Sequence, residues 1–257
     1  MAALRPLTIA VLIKQVPDMN AARVDRASGT VVVSTQLGIS SYDRYAIEAA
    51  LRLKEAAGGG EVIAVALGPA SAKDAISRAL AMGADRGIHL ESADAGAADT
   101  LAVATALAGA IAPLGCDLVL AGQASDDYES GQVGAQVAAL AGLPVVSNVV
   151  NIAREGDEVV VQRDMEDGYQ TVRAAFPLMI LASTGLDEPR VPSVKGIMGA
   201  KKKPVEVSPV ALATGERLTW ETPYVPPKTT SGVIVQDLPA SEAAQQLVAW
   251  LQANKLI

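Results

Sequence analysis

Cysteine, histidine and aromatic residues are nearly absent from this chain of 257 residues. One cysteine, Cys116, excludes an internal disulfide and any cysteine-rich metal site. One histidine, His89, excludes a multi-histidine metal centre, and no G-x-S-x-G elbow is present for a serine nucleophile. One Phe, two Trp and five Tyr give no run of stacking platforms for nucleic acid. The net charge of −7 gives no basic surface for its phosphates. Long hydrophobic runs are also missing. The stretch Leu101–Cys116 is interrupted by Pro113 and falls short of the roughly 20 residues that span a bilayer. Arg5 and Pro6 precede only a short apolar run, which is not a secretory signal. The expectation is a soluble intracellular protein with no catalytic constellation of its own.

Aliphatic residues, alanine and glycine are what remain. Half of the chain is hydrophobic, enough for a sizeable aliphatic core. Apolar runs alternate with helical stripes. LTIAVLI (7–13), EVIAVAL (61–67), GIHL (87–90) and DLVLA (117–121) read as strands buried on both faces. YDRYAIEAALRLKEA (42–56), SAKDAISRALAMG (71–83), DTLAVATALAGAIA (99–112) and GQVGAQVAALAG (131–142) read as helices. Ser71 and Asp99 are the expected N-caps. Glu48 and Arg52 are spaced to pair along one helix face.

Such alternation predicts an α/β fold, a Rossmann-like parallel sheet covered on both sides. Residues 147–183 carry no helical period and read as three strands joined by turns at REGDE and MEDG, an antiparallel addition to the sheet. Residues 204–238 read as an extended arm, and SEAAQQLVAWLQANKL (241–256) as a final helix. The expected division is a nucleotide-binding domain over 1–203 and a C-terminal arm and helix over 204–257.

Ligands of open parallel sheets bind beyond the carboxyl ends of the strands. Four loops lie there: KQVPD (14–18), SSYDRY (40–45), GPAS (68–71) and GQASDDYESGQVG (122–134). The last leaves a strand, is rich in small residues and enters a helix, whose N-terminal amides favour an anion. It reads as a nucleotide phosphate site, although no Walker or GxGxxG motif is present. Asp126, Asp127 and Glu129 repel phosphate unless they face ribose or solvent. His89 reads as structural, and Cys116 as a small buried hydrophobe. A stand-alone nucleotide-binding module and a nucleotide hydrolase remain open alternatives at this level.

The segment EPRVPSVKGIMGAKKKPVEV (188–207) fits neither core nor tail. Three adjacent lysines argue against burial, and Val194, Ile197 and Met198 argue against disorder.

Five ordered motifs carry a family resemblance: VLIKQVPD (11–18), YAIEAALRLKE (45–55), ALAMGADRGIHL (79–90), SGQVG (130–134) and LDEPRVPSVKGIMGAKKKPVEV (186–207). Over nearly its full length the chain resembles the beta subunit of electron transfer flavoprotein. The resemblance implies a carrier subunit rather than an enzyme, paired with an alpha subunit that holds most of a shared FAD. It implies electrons arriving from flavin-dependent dehydrogenases and leaving to a downstream quinone oxidoreductase, in the cytoplasm or alternatively the mitochondrial matrix. It also implies a structural AMP, replaced in electron-bifurcating members by a second FAD. The AMP contacts it implies are Leu12, Ser40, Ser41, Tyr42, Asp43 and Leu67. In the long loop it implies Gly122, Gln123, Ala124, Ser125, Asp126, Asp127, Ser130, Gly131, Gln132 and Val133. The family's Asn-Pro is Ser40-Ser41 here, and Tyr128 and Glu129 stand where bifurcating members carry smaller residues. Residues 190–203 resemble the family's recognition loop for dehydrogenases, with Val194 in place of a leucine. Val194, Ile197, Met198, Lys201 and Lys202 are the partner-binding residues implied. Asp164 takes the place of a hairpin glutamate that pairs with an arginine beside the flavin.

Overall fold

LTIAVLI forms β1 (Leu7–Ile13), buried along its length except at Thr8. The sheet is built outward from this strand. The structure is a computed structural model that describes residues 4–25, 27–212, 218, 221, 224–226 and 232–257. After β1 the chain makes an excursion through β2 (Gln15–Pro17), β3 (Arg23–Val24), β4 (Val31–Val32) and β5 (Leu37–Ile39). β2 pairs with β5 and β3 with β4, both antiparallel. Helix α1 (Ser41–Ala56) follows, then β6 (Gly60–Gly68), α2 (Lys73–Met82), β7 (Arg86–Glu91), α3 (Thr100–Ile111), β8 (Leu118–Gly122) and α4 (Val133–Ala141). The remainder comprises β9 (Val145–Glu155), β10 (Glu158–Met165), β11 (Gly168–Ala175), β12 (Leu178–Ala182), α5 (Val194–Ala200), β13 (Val205–Pro209) and α6 (Ala240–Ala253).

Among the described residues nine strands form one sheet in the order β11-β10-β9-β12-β8-β1-β6-β7-β13. Pairing is parallel from β9 across to β13 and antiparallel at β9–β10 and β10–β11. Successive β1 residues feed opposite cores, as the period of a strand requires. Ile9 and Val11 join a cluster with Ile47, Leu51, Ile76 and Leu80 of α1 and α2. Ala10 and Leu12 join one with Leu107, Ile111 and Val137 of α3 and α4. Each fully buried isoleucine or leucine contributes about 1.5–3 kcal/mol, so the two faces rather than the sparse aromatics hold the fold.

The structure departs from the sequence reading in four places. The stretch 147–183 holds four strands, not three. LMILA in β12 is buried at every residue and inserts parallel between β8 and β9. Its continuous apolar run is what a strand covered on both faces needs. The antiparallel hairpins hang from β9, outside it. Second, the arm read at 204–238 begins with a sheet strand, β13, paired parallel to β7, while 213–217, 219–220, 222–223 and 227–231 lie outside the described residues. Third, Ser71 is not an N-cap. It lies in a 3-10 turn, Ala70–Ala72, and its hydroxyl donates to Gln15 Oε1 at 2.8 Å. Fourth, the 190–203 loop contains a helix, α5, capped by Ser193, whose hydroxyl accepts from Gly196 N at 3.0 Å. Asp99 caps α3 as expected, accepting from Ala102 N at 2.7 Å.

Candidate functional site

The chain passes from β1 to β6 and β7 on one side of the sheet and then returns to place β8 on the other. That reversal opens a crevice at the carboxyl ends of β1 and β8, the place where such sheets bind ligands. A cavity of about 320 Å³ occupies it. Leu12, Leu67 and Gly122 line it from the ends of β1, β6 and β8, and Thr100 and Val133 from the first turns of α3 and α4.

One carboxylate fixes the floor. Asp43, in the first turn of α1, is buried and accepts from Lys14 N at 2.7 Å and from Gly122 N at 3.0 Å. It thereby ties the ends of β1 and β8 to one helix. Burial pushes its carboxyl up to about 7, against the pull of those two amides and of the Lys14 charge. Gly122 must be glycine here, because a Cβ would lie 2.6 Å from both Asp43 Oδ1 and Tyr42 Cβ.

Two of the three acidic residues of the long loop are already engaged. Asp126 accepts from the backbone N–H and the hydroxyl of Ser41. Asp127 accepts twice from Lys14 Nζ, at 2.8 and 2.7 Å. The same ammonium stands 4.7 Å from the centre of the Tyr128 ring. Glu129 is exposed in a left-handed turn (φ 48°). Gln123 turns its carboxamide oxygen to Asn148 N at 2.8 Å, tying the loop to β9.

The loop then enters α4, whose N-terminus has no side-chain cap. Its N-cap residue, Gln132, spends its side chain on Thr100 Oγ1 at 2.9 Å instead. The first amides of α4 are therefore donors open to an anion. A cavity walled by small and aliphatic residues, with a helix N-terminus at one side, suits a flat apolar ring joined to an anionic group.

Of the residues picked out from the sequence, Leu12, Asp43, Leu67, Gly122, Gln123, Ala124 and Ser125 line this cavity. So do Asp127, Ser130, Gly131, Gln132 and Val133. Ser40, Ser41, Tyr42 and Asp126 do not. They form the layer behind it, where Ser40 Oγ accepts from Asp126 N at 3.4 Å. Lys14 and Pro69, in the KQVPD and GPAS loops, also line the cavity, as do Ala95 and Thr100, which lay outside the four loops. Lys14 was legible, since it directly follows β1. The lack of lysine in 122–134 therefore does not leave the cavity without a cation.

A second group of expected residues lies on α5. Val194 is 75% exposed, Ile197 51% and Met198 66%, and all three fall on one helical stripe. The lysines divide. Lys201 and Lys202 are exposed, whereas Lys203 donates to Leu80 O at 2.9 Å and Ala84 O at 2.6 Å. Asp164 is exposed near the tip of the β10–β11 hairpin, paired across it with Tyr169. His89 is buried in β7 with Nε2 3.3 Å from Gly68 O. Among the described residues no helix is long and apolar enough to cross a membrane.

Residues 28–213 match the electron transfer flavoprotein domain. The chain is 34% identical to the electron transfer flavoprotein subunit beta of Megasphaera elsdenii, over 98% of this chain and all of that protein. It is 36% identical to the subunit of the same name in Syntrophomonas wolfei, over 96% of each. It is also 34% identical to the caffeyl-CoA reductase-Etf complex subunit CarD of Acetobacterium woodii, over 98% of this chain and all of that protein. With a family match across most of its length and relatives aligned end to end, the chain belongs to the electron transfer flavoprotein family, among its beta subunits.

Proposed function

We propose that this chain pairs with an electron transfer flavoprotein alpha subunit and holds a structural AMP in the cavity between β1 and β8. The supporting observation is that cavity, with the uncapped N-terminus of α4 beside it. Its volume of about 320 Å³ lies at the small end of the roughly 300–1,000 Å³ usual for ligand sites and suits a mononucleotide. Leu12, Leu67 and Val133 would pack on the purine, and the first amides of α4 would hold the phosphate. Asp43 shapes the floor, and Asp126 braces the layer behind it. FAD, shared with and mainly held by the alpha subunit, supplies the redox chemistry, and this chain acts as a carrier subunit rather than an enzyme.

In this reading α5 docks flavin-dependent dehydrogenases. Val194, Ile197 and Met198 enter an apolar pocket, and Lys201 and Lys202 meet acidic groups at its rim. Asp164 faces the shared flavin from its hairpin. The 204–257 segment, which opens with β13, reaches the alpha subunit. No residue of α6 is buried, and Leu247, Val248 and Trp250 are exposed on it, which is what a helix awaiting a partner presents. Electrons then pass to a quinone-linked acceptor, and the complex works in the cytoplasm.

A second reading puts a second FAD in place of AMP. The Acetobacterium woodii relative, named as part of a reductase complex, supports it. Tyr128 and the Lys14–Asp127 pair, packed against the cavity wall, favour the smaller ligand. Acid extraction of the purified heterodimer, followed by chromatography, separates the readings. AMP with one FAD supports the first, and two FAD with no AMP overturns it.

A further inference from the structure

α5 is too short to hold its own shape. Its seven residues fall well below the roughly 12–15 at which an isolated helix becomes marginal in water. Its outer stripe is exposed, and among its residues Ala200 alone is buried. What fixes it lies at its two ends.

On the N-terminal side, Arg190 is anchored to α1. Its backbone N–H and Nε both donate to Glu48 Oε2, at 3.0 and 2.8 Å, and Nη2 donates to Glu48 Oε1 at 3.0 Å. Its guanidinium also reaches both oxygens of Glu55, at 2.6 and 3.1 Å. Glu48 is 2% exposed, so this is a charge pair shielded from solvent on its acidic side. On the C-terminal side, Lys203 places its ammonium on Leu80 O and Ala84 O. Leu80 O lies in the last turn of α2, where helix oxygens lack partners and a cation is favoured, and Ala84 O lies just past the end of that helix. Between the anchors, α5 presses on α2 so closely that a Cβ on Gly196 would lie 2.5 Å from Ala81 O.

We propose that Arg190 and Lys203 are positioning residues for partner docking, clamping α5 at both ends so that its apolar stripe is presented preformed. The proposal rests on the reading of α5 as the docking element. It separates Lys203 from Lys201 and Lys202, whose side chains face outward. A partner that meets a preformed helix is spared the cost of ordering it. When only a fraction of molecules present the helix, apparent affinity falls by that fraction.

The test uses the heterodimer with Lys203→Met, Lys203→Arg, Glu55→Gln and Val194→Asp. Amide hydrogen exchange over 194–200 reads the clamp without any partner. Steady-state kinetics with a purified flavin-dependent dehydrogenase from the same genome read docking. Lys203→Met should speed exchange over 194–200 about tenfold and raise the KM for the heterodimer about tenfold, with kcat and bound nucleotide unchanged. Lys203→Arg should restore much of both. Glu55→Gln, at an exposed carboxylate that leaves Glu48 in place, should shift both in the same direction by less, and it covers the case in which Lys203→Met does not fold. Unchanged exchange in the clamp variants overturns the proposal. Faster exchange with an unchanged KM also overturns it, provided Val194→Asp raises KM. A Val194→Asp heterodimer that docks normally overturns the docking reading instead, while exchange still judges the clamp.

Discussion

Lys14 Nζ lies 2.7 Å from Asp127 Oδ2 and 4.7 Å from the Tyr128 ring centre, joining the end of β1 to the loop that enters α4. The lysine side chain is 41% exposed and the aspartate 15%, so the pair is partly screened and worth about 1 kcal/mol. Lys14→Met should loosen the 122–134 loop by no more than that, so nucleotide retention should weaken by at most about fivefold. Calorimetric titration of AMP into nucleotide-stripped heterodimer measures it. The loss should shrink at high salt, because wild-type affinity itself falls there.

Asp43 should give stability an unusual pH slope. Its carboxyl is raised from the ordinary 3.8 to about 7 by burial, so the folded state holds a proton that the unfolded state releases. A group of this kind contributes stability that is full below the unfolded value and lost as pH rises through the folded one. Between about pH 4 and 7 its contribution should fall with rising pH. Asp43→Asn should abolish that part of the slope. It should also cost about 1–3 kcal/mol, because one of the two amides from Lys14 and Gly122 loses its acceptor. Urea unfolding of both proteins across that pH range is the measurement.

Gly122→Ala should damage the cavity without touching a ligand. The added methyl meets Tyr42 Cβ and Asp43 Oδ1 at 2.6 Å, and relieving it must move α1 away from β8. The expected cost is about 1–3 kcal/mol, together with loss of bound nucleotide. Thermal unfolding and nucleotide extraction on one preparation check both.

Val194→Ala should weaken dehydrogenase docking several-fold and at most about tenfold, since burying a valine is worth about 1.5 kcal/mol. Faster dissociation should account for most of the change, and surface plasmon resonance resolves it. FAD content and thermal stability should stay the same, because the side chain is 75% exposed in the subunit. A fall in stability with unchanged docking would show instead that Val194 serves to pin α5.

The parallel core was legible because strands buried on both faces are continuous apolar runs, and LTIAVLI and EVIAVAL have no other economical reading. The same rule applied to LMILA, but its place directly after the hairpin strands hid its parallel partners β8 and β9. Which strand lies beside which depends on pairings far apart in sequence, and no local pattern carries that. The cavity loops were legible by their positions at strand ends. Lys14 was legible as part of the KQVPD loop, but its pairing with Asp127, distant in sequence, was not. α5 was hidden for a related reason. Pro189, Pro192, Gly196 and Gly199 argue against a helix locally, and Glu48 and the carbonyls of Leu80 and Ala84 that hold it lie more than 100 residues earlier.

In the proposed reading this subunit carries a mononucleotide at the β1–β8 crevice beside a flavin held with its partner. Nucleotide and flavin content per heterodimer, measured by acid release and chromatography on the co-expressed complex, tests it most directly. One AMP and one FAD are expected, with AMP lost and FAD kept when Gly122 is replaced by alanine. Two FAD and no AMP, or no purine nucleotide beyond a single FAD, would contradict it.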